Sequence, residues 1–180
     1  MSQNIINNKY DDSFLKVPER TPKEFIDHIK PYIENKIVCD VGAGAGDLSV
    51  EMAKYAKHVF AIENGTSYPK GLEYLRTRIL PNNVTFIENN VLTMKLPIAD
   101  VYYVFLNIRI PALIYEQIDT GILIVALGDK WGKDLQHEGN VEISNKILSK
   151  CSKIVKYDFD NSENIFMKSW NKSAFGIIYK

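Results

Sequence analysis

The hydrophobic pattern of the chain alternates between short apolar runs and segments whose apolar residues recur at helical spacing. Apolar runs rich in β-branched residues predict buried strands, and apolar stripes at spacings of three and four residues predict amphipathic helices. This alternation predicts a mostly parallel seven-stranded α/β sheet flanked by helices, closed by an antiparallel pair, with ligand sites at the carboxyl ends of the strands. The predicted strands are 37–41, 58–63, 84–87, 99–106, 121–127, 153–159 and 173–179, and the predicted helices are 22–33, 47–56, 68–79, 111–118 and 141–149.

The chain is predicted to form one domain over residues 1–180, because this length suffices for one well-formed core and not for two. Residues 1–12 are polar apart from two isoleucines and are predicted to form a mobile N-terminal arm. The segment Thr21-Pro22-Lys23-Glu24 has the pattern of a capping box with proline at the first helical position. It predicts the start of the first helix.

A glycine-rich loop joins the first predicted strand to the following helix, with the pattern D-x-G-x-G-x-G. Glycine permits a positive φ and lets a ligand lie directly on the backbone, and N–H groups at a helix start favour polar or anionic groups. The dinucleotide-binding fingerprint is G-x-G-x-x-G, and its third glycine would stand where this chain has Asp47. The spacing therefore excludes the dinucleotide pattern. The residues of this loop predicted to contact a ligand are Asp40, Gly42, Ala43, Gly44 and Gly46.

This loop resembles motif I of the class I S-adenosylmethionine-dependent methyltransferases, and the order of motifs over the whole chain is similar to that class. The resemblance implies a Rossmann-like fold, S-adenosylmethionine as cofactor and an enzyme that transfers methyl groups. It also implies that Asp40, the acid at the strand end, helps to hold the methionine amino group through its hydrogen-bonding shell. An ordinary tight turn between strand and helix is the alternative for the loop alone.

The ends of the second and third predicted strands supply further candidate cofactor ligands. Glu63 ends the second strand, and a carboxylate there suits a ribose diol because it can accept two hydrogen bonds; Asn64 follows it. Asn90 and Val91 end the third strand, where methyltransferases commonly contact the adenine amino group and ring. The alternatives are a solvated acid for Glu63 and an Asn-rich turn for Asn90.

The acceptor side of the site is predicted to follow the fourth strand. Methyl transfer from a sulfonium requires alignment of donor and acceptor and exclusion of water, and a neutral amine needs no strong base. Asn107 can orient such an amine through its side-chain oxygen, and aromatic Phe105 lies close by in the sequence. We therefore assign these two residues as catalytic candidates; core packing and a strand-end cap are the alternatives. The absence of N-P-P-[FY] or D-P-P-[FY] here disfavours methylation of base amino groups or glutamine amides by the standard route.

Within the class, the layout is similar to that of the compact archaeal and mitochondrial protein-lysine methyltransferases. The shared features include the segment 17–22 before the first helix, the glycine loop and the acid that ends the second strand. This resemblance implies lysine amines of a protein as acceptor and a contact of Thr21 with the methionine carboxylate. Residues 105–109 and 130–149 depart from that group's pattern, and Thr21 also suits a helix cap.

Composition narrows the classes of partner. The chain has 22 basic and 22 acidic residues and zero formal net charge, so no overall field attracts nucleic acid or an anionic membrane. Its two cysteines form neither a C-x-x-C pair nor a disulfide framework, and no signal peptide or membrane span is apparent. The three histidines are scattered without metal-ligand spacing, so we predict no metal. A soluble, cytoplasmic protein is expected, and the oligomeric state is left open.

RNA or a small molecule as methyl acceptor, and a fold that binds the cofactor without turnover, remain alternative interpretations. Lys146, Lys150, Lys153 and Lys156 form a local basic run that can contact phosphates. Acidic residues near the start of the same predicted helix give the arrangement that complements a helix dipole, which favours a purely structural role for these lysines. A protein acceptor is therefore the preferred prediction from the sequence.

Overall fold

The computed structural model describes residues 23–66, 69–104, 109–127, 145–157 and 173–180. Four helices and seven strands have defined bounds within these residues, and residues 145–148 add a short helical segment. The helices are α1 (Lys23–Ile33), α2 (Asp47–Met52), α3 (Pro69–Thr77) and α4 (Arg109–Gln117). The strands are β1 (Ile37–Val41), β2 (His58–Glu63), β3 (Val84–Glu88), β4 (Val101–Val104), β5 (Ile122–Leu127), β6 (Lys153–Tyr157) and β7 (Ser173–Tyr179).

The strands form one seven-stranded sheet in the order β3-β2-β1-β4-β5-β7-β6. Strands β1 to β5 pair in parallel, and β7 pairs antiparallel with both β5 and β6. The predicted fold class, including the antiparallel closing pair, is confirmed. The strand order reverses between β1 and β4, so the carboxyl end of β1 lies at the position where ligands bind in open α/β sheets.

Each face of the sheet carries its own hydrophobic core, because successive strand residues point to opposite faces. On one face, fully buried Ile29 and Ile33 of α1 and Met52 of α2 pack over Phe175 and Ile177 of β7, among other residues. The opposite face is covered by α4 and the helical segment at 145–148, which contribute buried Ile114 and Ile147. All four residues of β4 are buried, as expected for a central strand with both faces covered.

Several element boundaries differ from the prediction. Helix α4 spans Arg109–Gln117 instead of 111–118, and β4 begins at Val101 instead of residue 99. Two other helices end earlier than predicted. The second helix ends at Met52 instead of continuing to residue 56. Residues 53–55 form turns, in which the backbone N–H groups of Tyr55 and Ala56 donate to the carbonyl of Met52. Helix α3 ends at Thr77 instead of residue 79, and Ile79 is 85% exposed beyond its end. The hydroxyl of Thr77 binds back to carbonyls of the preceding turn, which accompanies the end of the helix.

Proline 31 does not end α1, which continues to Ile33. The predictions for residues 1–12 and for most of 130–149 concern positions outside the described residues. The helices that the structure describes include none that is long and apolar enough to cross a membrane.

Candidate functional site

The glycine loop lies at the carboxyl end of β1 and is tied to the neighbouring strand β2. The backbone N–H groups of Gly42 and Ala43 both donate to the carbonyl of Ile62, each at 2.9 Å. Gly42 and Gly44 have φ values of 82° and 57°, in the left-handed region where glycine is favoured. The loop therefore has the glycine-dependent backbone that the sequence predicted.

Gly46 is required for a second reason, which is close packing. It has a φ of 78°, and a Cβ atom at this position would lie 2.6 Å from Cδ1 of Leu75 in α3. Its N–H donates to the carbonyl of Ala43 at 2.8 Å and closes the loop. The third glycine thus allows α3 to pack against the loop.

The carboxylate of Glu63 joins the glycine loop to the loop that follows β2. Its Oε2 atom accepts the N–H of Gly44 at 2.9 Å, and its Oε1 atom accepts the N–H groups of Asn64 at 2.8 Å and Gly65 at 2.7 Å. The residue is 9% exposed. Three donors occupy most of the roughly four acceptor positions of a carboxylate. Glu63 therefore organises both loops, a role that the sequence did not reveal, and its contact with a ribose stays a prediction.

Asp40 is buried behind the loop and hydrogen-bonded to Ser49 of α2. It is 1% exposed, and its Oδ2 atom accepts the Ser49 hydroxyl at 2.5 Å. Burial raises the pKa of Asp40 to about 7; the bond from Ser49 opposes this rise, and the nearby Glu63 carboxylate adds to it. The acid at the end of β1 is therefore poised to change protonation near neutral pH, and its burial favours an indirect role in ligand binding.

Asn90 forms an Asx turn after β3. Its Oδ1 atom accepts the N–H of Leu92 at 3.0 Å, and its own N–H donates to the side chain of Asn89 at 2.8 Å. Val91 is 8% exposed and packs in the core of the α4 face. The turn interpretation of Asn90 is thus present in the structure, and contact of these residues with adenine stays a prediction.

The structure brings part of the predicted site together. Gly44 and Glu63 are in direct contact, and Asn64 shares the Glu63 carboxylate. Thr21, Phe105 and Asn107 lie outside the described residues.

Two further side chains support the loop and were not predicted from the sequence. Ser49 partners the buried Asp40, and a signal existed, because a buried acid requires a hydrogen-bond donor nearby. Arg78 donates from Nη1 to the carbonyl of Ala45 at 2.9 Å and to Oδ1 of Asp47 at 2.8 Å. No local pattern could indicate the pairing of Arg78 with Asp47, because these residues are 31 positions apart in the sequence.

Two grooves lie at the amino ends of the strands, opposite the glycine loop, and include none of the predicted site residues. They have volumes of about 540 and 340 Å³, lie near the amino ends of β4 and β5, and share Ile98, Ala99 and Thr120 in their walls. Within the part of the chain that the structure describes, no group of three or more histidine, cysteine, aspartate or glutamate residues could hold a metal ion.

The sheet order and the glycine loop, together with a family-model match over most of the chain, identify a class I S-adenosylmethionine-dependent methyltransferase. Residues 3–160 match the family model described as ribosomal RNA adenine dimethylase. The chain belongs to that family. S-adenosylmethionine is accordingly its cofactor.

The names of the curated relatives indicate two kinds of substrate for those proteins. Protein arginine N-methyltransferase 1 from Oryza sativa subsp. indica is 35% identical over 102 residues, which cover 56% of this chain and 26% of that protein. Ribosomal RNA small subunit methyltransferase A from Desulfotalea psychrophila is 42% identical over 59 residues, which cover 33% of this chain and 19% of that protein. The match thus spans about a quarter of the rice protein and a fifth of the bacterial one. The layout of the lysine methyltransferases is not confirmed by these matches.

A solved structure shows the same fold. The tRNA (m1A58) methyltransferase from Aquifex aeolicus superposes with a TM-score of 0.60 at 15% identity, and the match covers 92% of this chain and 72% of that chain. At this identity the likeness concerns the fold alone.

Proposed function

We propose that this chain binds S-adenosylmethionine at the glycine loop and transfers its methyl group to the exocyclic amino group of adenine in RNA. The observation that carries the cofactor site is the hydrogen bond from Gly44 to Glu63, which couples the loop to the acid of the next strand. The family match over residues 3–160 supports adenine in RNA as the acceptor. The absence of N-P-P-[FY] or D-P-P-[FY] after β4 counts against this acceptor, and we give the match over most of the chain the greater weight.

The residues of the site fit this cofactor. The cofactor carries a cationic amino group and a sulfonium, and the loop lies beside two acids, Asp40 and Glu63, that sit at adjacent strand ends. The loop glycines have positive φ values, and because they lack a Cβ atom, a ligand can approach their backbone closely. The residues proposed to hold the cofactor are Thr21, Asp40, Gly42, Ala43, Gly44, Gly46, Glu63, Asn64, Asn90 and Val91.

The bound cofactor supplies an activated methyl group, and the protein supplies alignment. Donor and acceptor must be held in line and water excluded, which accounts for much of the rate enhancement in such reactions. Asn107 and Phe105, which follow β4 in the sequence, are proposed to orient the acceptor amine. The amine nitrogen attacks as a neutral nucleophile and forms a bond to the methyl carbon as the carbon–sulfur bond breaks. The demethylated cofactor is the leaving group, and the methylated nitrogen then releases one proton to water.

The cofactor site is tested by titration calorimetry with S-adenosylmethionine and its demethylated product. We expect micromolar binding of both by the wild type and none by Gly44→Arg, because the large side chain would fill the ligand-facing side of the loop. Asn82→Arg adds the same charge in an exposed turn and should bind like the wild type. Absence of heat with the wild type, or unchanged binding by Gly44→Arg, would contradict the proposal.

The acceptor is tested with cofactor labelled in the methyl group and a whole lysate, treated separately with RNase and with protease. Label that RNase removes and protease leaves supports an RNA acceptor, and nucleoside analysis should then yield methylated adenosine. Label confined to small molecules would contradict both macromolecular acceptors.

A protein amine is the second candidate acceptor. The similarity to the rice arginine methyltransferase over 102 residues supports it, and the lysine amines predicted from the sequence belong to this alternative. In the same experiment, a protein acceptor requires that protease removes the label and RNase leaves it. Acid hydrolysis of the labelled protein then distinguishes methyl-arginine from methyl-lysine. A cytoplasmic location is part of the proposal, since either acceptor is found there, and fractionation of cells would test it.

A further inference from the structure

The peptide unit between Ala45 and Gly46 is held at both of its ends. The Gly46 N–H donates to the carbonyl of Ala43 at 2.8 Å, and the Ala45 carbonyl accepts Nη1 of Arg78 at 2.9 Å. Because a peptide unit is planar, these two bonds fix the orientation of the whole unit. The second half of the glycine loop therefore depends on Arg78.

Arg78 is itself fixed by a second acceptor. The same Nη1 atom lies 2.8 Å from Oδ1 of Asp47, the first residue of α2. The side chains of Arg78 and Asp47 are 17% and 28% exposed, so the pair is shielded from much of the solvent. The guanidinium carbon also lies 5.4 Å from the ring centre of Tyr74. Charge-assisted hydrogen bonds in such surroundings are stronger and more directional than neutral ones.

Two charged side chains thus hold the two halves of the loop. Glu63 accepts the N–H of Gly44, and Arg78 donates to the carbonyl of Ala45, the next residue. Glu63 is the last residue of β2, and Arg78 directly follows α3, whose Leu75 also abuts Gly46. The end of β2 and the end of α3 therefore both support the loop.

We propose that Arg78 is a positioning residue for cofactor binding, which holds the glycine loop in its receptive conformation without touching the cofactor. Asp47, at the position of the third glycine of the dinucleotide fingerprint, is the anchor for Arg78. The inference rests on the proposed function, because it takes the loop as the site of S-adenosylmethionine.

The experiment compares Arg78→Met with Arg76→Met by calorimetric titration with S-adenosylmethionine, well below the unfolding temperature of each protein. Arg76 is a matched control, because it lies two residues away and forms an ion pair with Glu88 in which both side chains are about half exposed. We expect Arg78→Met to raise Kd about tenfold, the effect of losing one charge-assisted hydrogen bond on an equilibrium. Arg76→Met should bind like the wild type.

Two further variants separate positioning from general stabilisation. Arg78→Lys keeps a donor that can reach one of the two acceptors, and its Kd should fall between those of the wild type and Arg78→Met. Asp47→Asn should weaken binding, and combining it with Arg78→Met should add little, because both act through the same contact. A merely structural role would lower the unfolding temperature and leave Kd unchanged.

The outcomes distinguish this inference from the proposed function. If the wild type binds no cofactor, both are overturned. If the wild type binds, and folded Arg78→Met binds equally well or Arg76→Met is weakened to the same extent, only the positioning role is overturned. Should Arg78→Met not fold, the same comparison is made between Arg78→Lys and Arg76→Lys.

Discussion

Replacing Asp40 by Asn removes a buried group that changes protonation near neutral pH. Asparagine has a similar size and can still accept the hydroxyl of Ser49, as Asp40 does at 2.5 Å. It also carries a donor, as a protonated carboxyl does, but it cannot ionise. The substitution therefore isolates the contribution of one titrating carboxyl to stability.

The magnitude follows from the two pKa values of Asp40. Burial raises its pKa to about 7 in the folded protein from 3.8, the ordinary value that the unfolded chain is taken to have. Between these values the folded protein holds the proton and the unfolded chain has released it, so rising pH favours unfolding. The contribution of protonated Asp40 is fully present below about pH 4 and is lost as pH rises through about 7. The gap corresponds to about 4 kcal/mol.

The assay is urea unfolding of the wild type and Asp40→Asn without cofactor, in a series of buffers from about pH 4 to about pH 8. The difference between the two free energies of unfolding removes the titration of every group that the proteins share. We expect Asp40→Asn to gain about 4 kcal/mol relative to the wild type across this range, with most of the change complete by about pH 7. A difference that does not vary with pH would refute the reasoning.

Three other substitutions test the loop and its surroundings. Gly46→Ala should lower the free energy of unfolding by more than the roughly 1–2 kcal/mol of a left-handed alanine, because the new methyl would lie 2.6 Å from Leu75; urea unfolding equal to wild type would contradict this. Glu63→Gln, with one acceptor oxygen for three N–H donors, should reduce stability by about 1–3 kcal/mol and raise the cofactor Kd, measured by thermal unfolding and calorimetry. Tyr102→Phe removes the hydroxyl that accepts the Ala99 N–H at 3.0 Å. It should reduce stability by about 1–3 kcal/mol and leave the cofactor Kd unchanged, because this contact lies near the amino end of β4 and the glycine loop lies at the carboxyl ends of the strands. Weaker cofactor binding would contradict this expectation.

The sequence predicted the features that depend on neighbouring residues. Strands β1 and β2 have the predicted bounds, because their apolar runs end at an acid or a glycine turn. The three loop glycines have positive φ, as their spacing required. Local pattern was thus sufficient for these strands and for the backbone conformation of the glycine loop.

Contacts between distant parts of the chain were not predictable in the same way. The carboxylate of Glu63 reaches Gly44, and Arg78 reaches Ala45 and Asp47, across separations that no periodicity records. The exposure of Ile79 was also missed, since helical spacing alone cannot tell that the helix stops at Thr77. These features depend on tertiary packing, which decides where an element ends and what its side chains reach.

The position of β7 also has a consequence for how the molecule folds. Because β7 lies between β5 and β6, the backbone groups of β5 and β6 that bond to β7 have no strand partner until residues 173–179 have been synthesised. Insertion of β7 also brings Phe175 and Ile177 into one core and Ile178 into the other. We therefore expect a slow final folding step that depends on long-range contacts. Until it occurs, unpaired strand edges are open to aggregation.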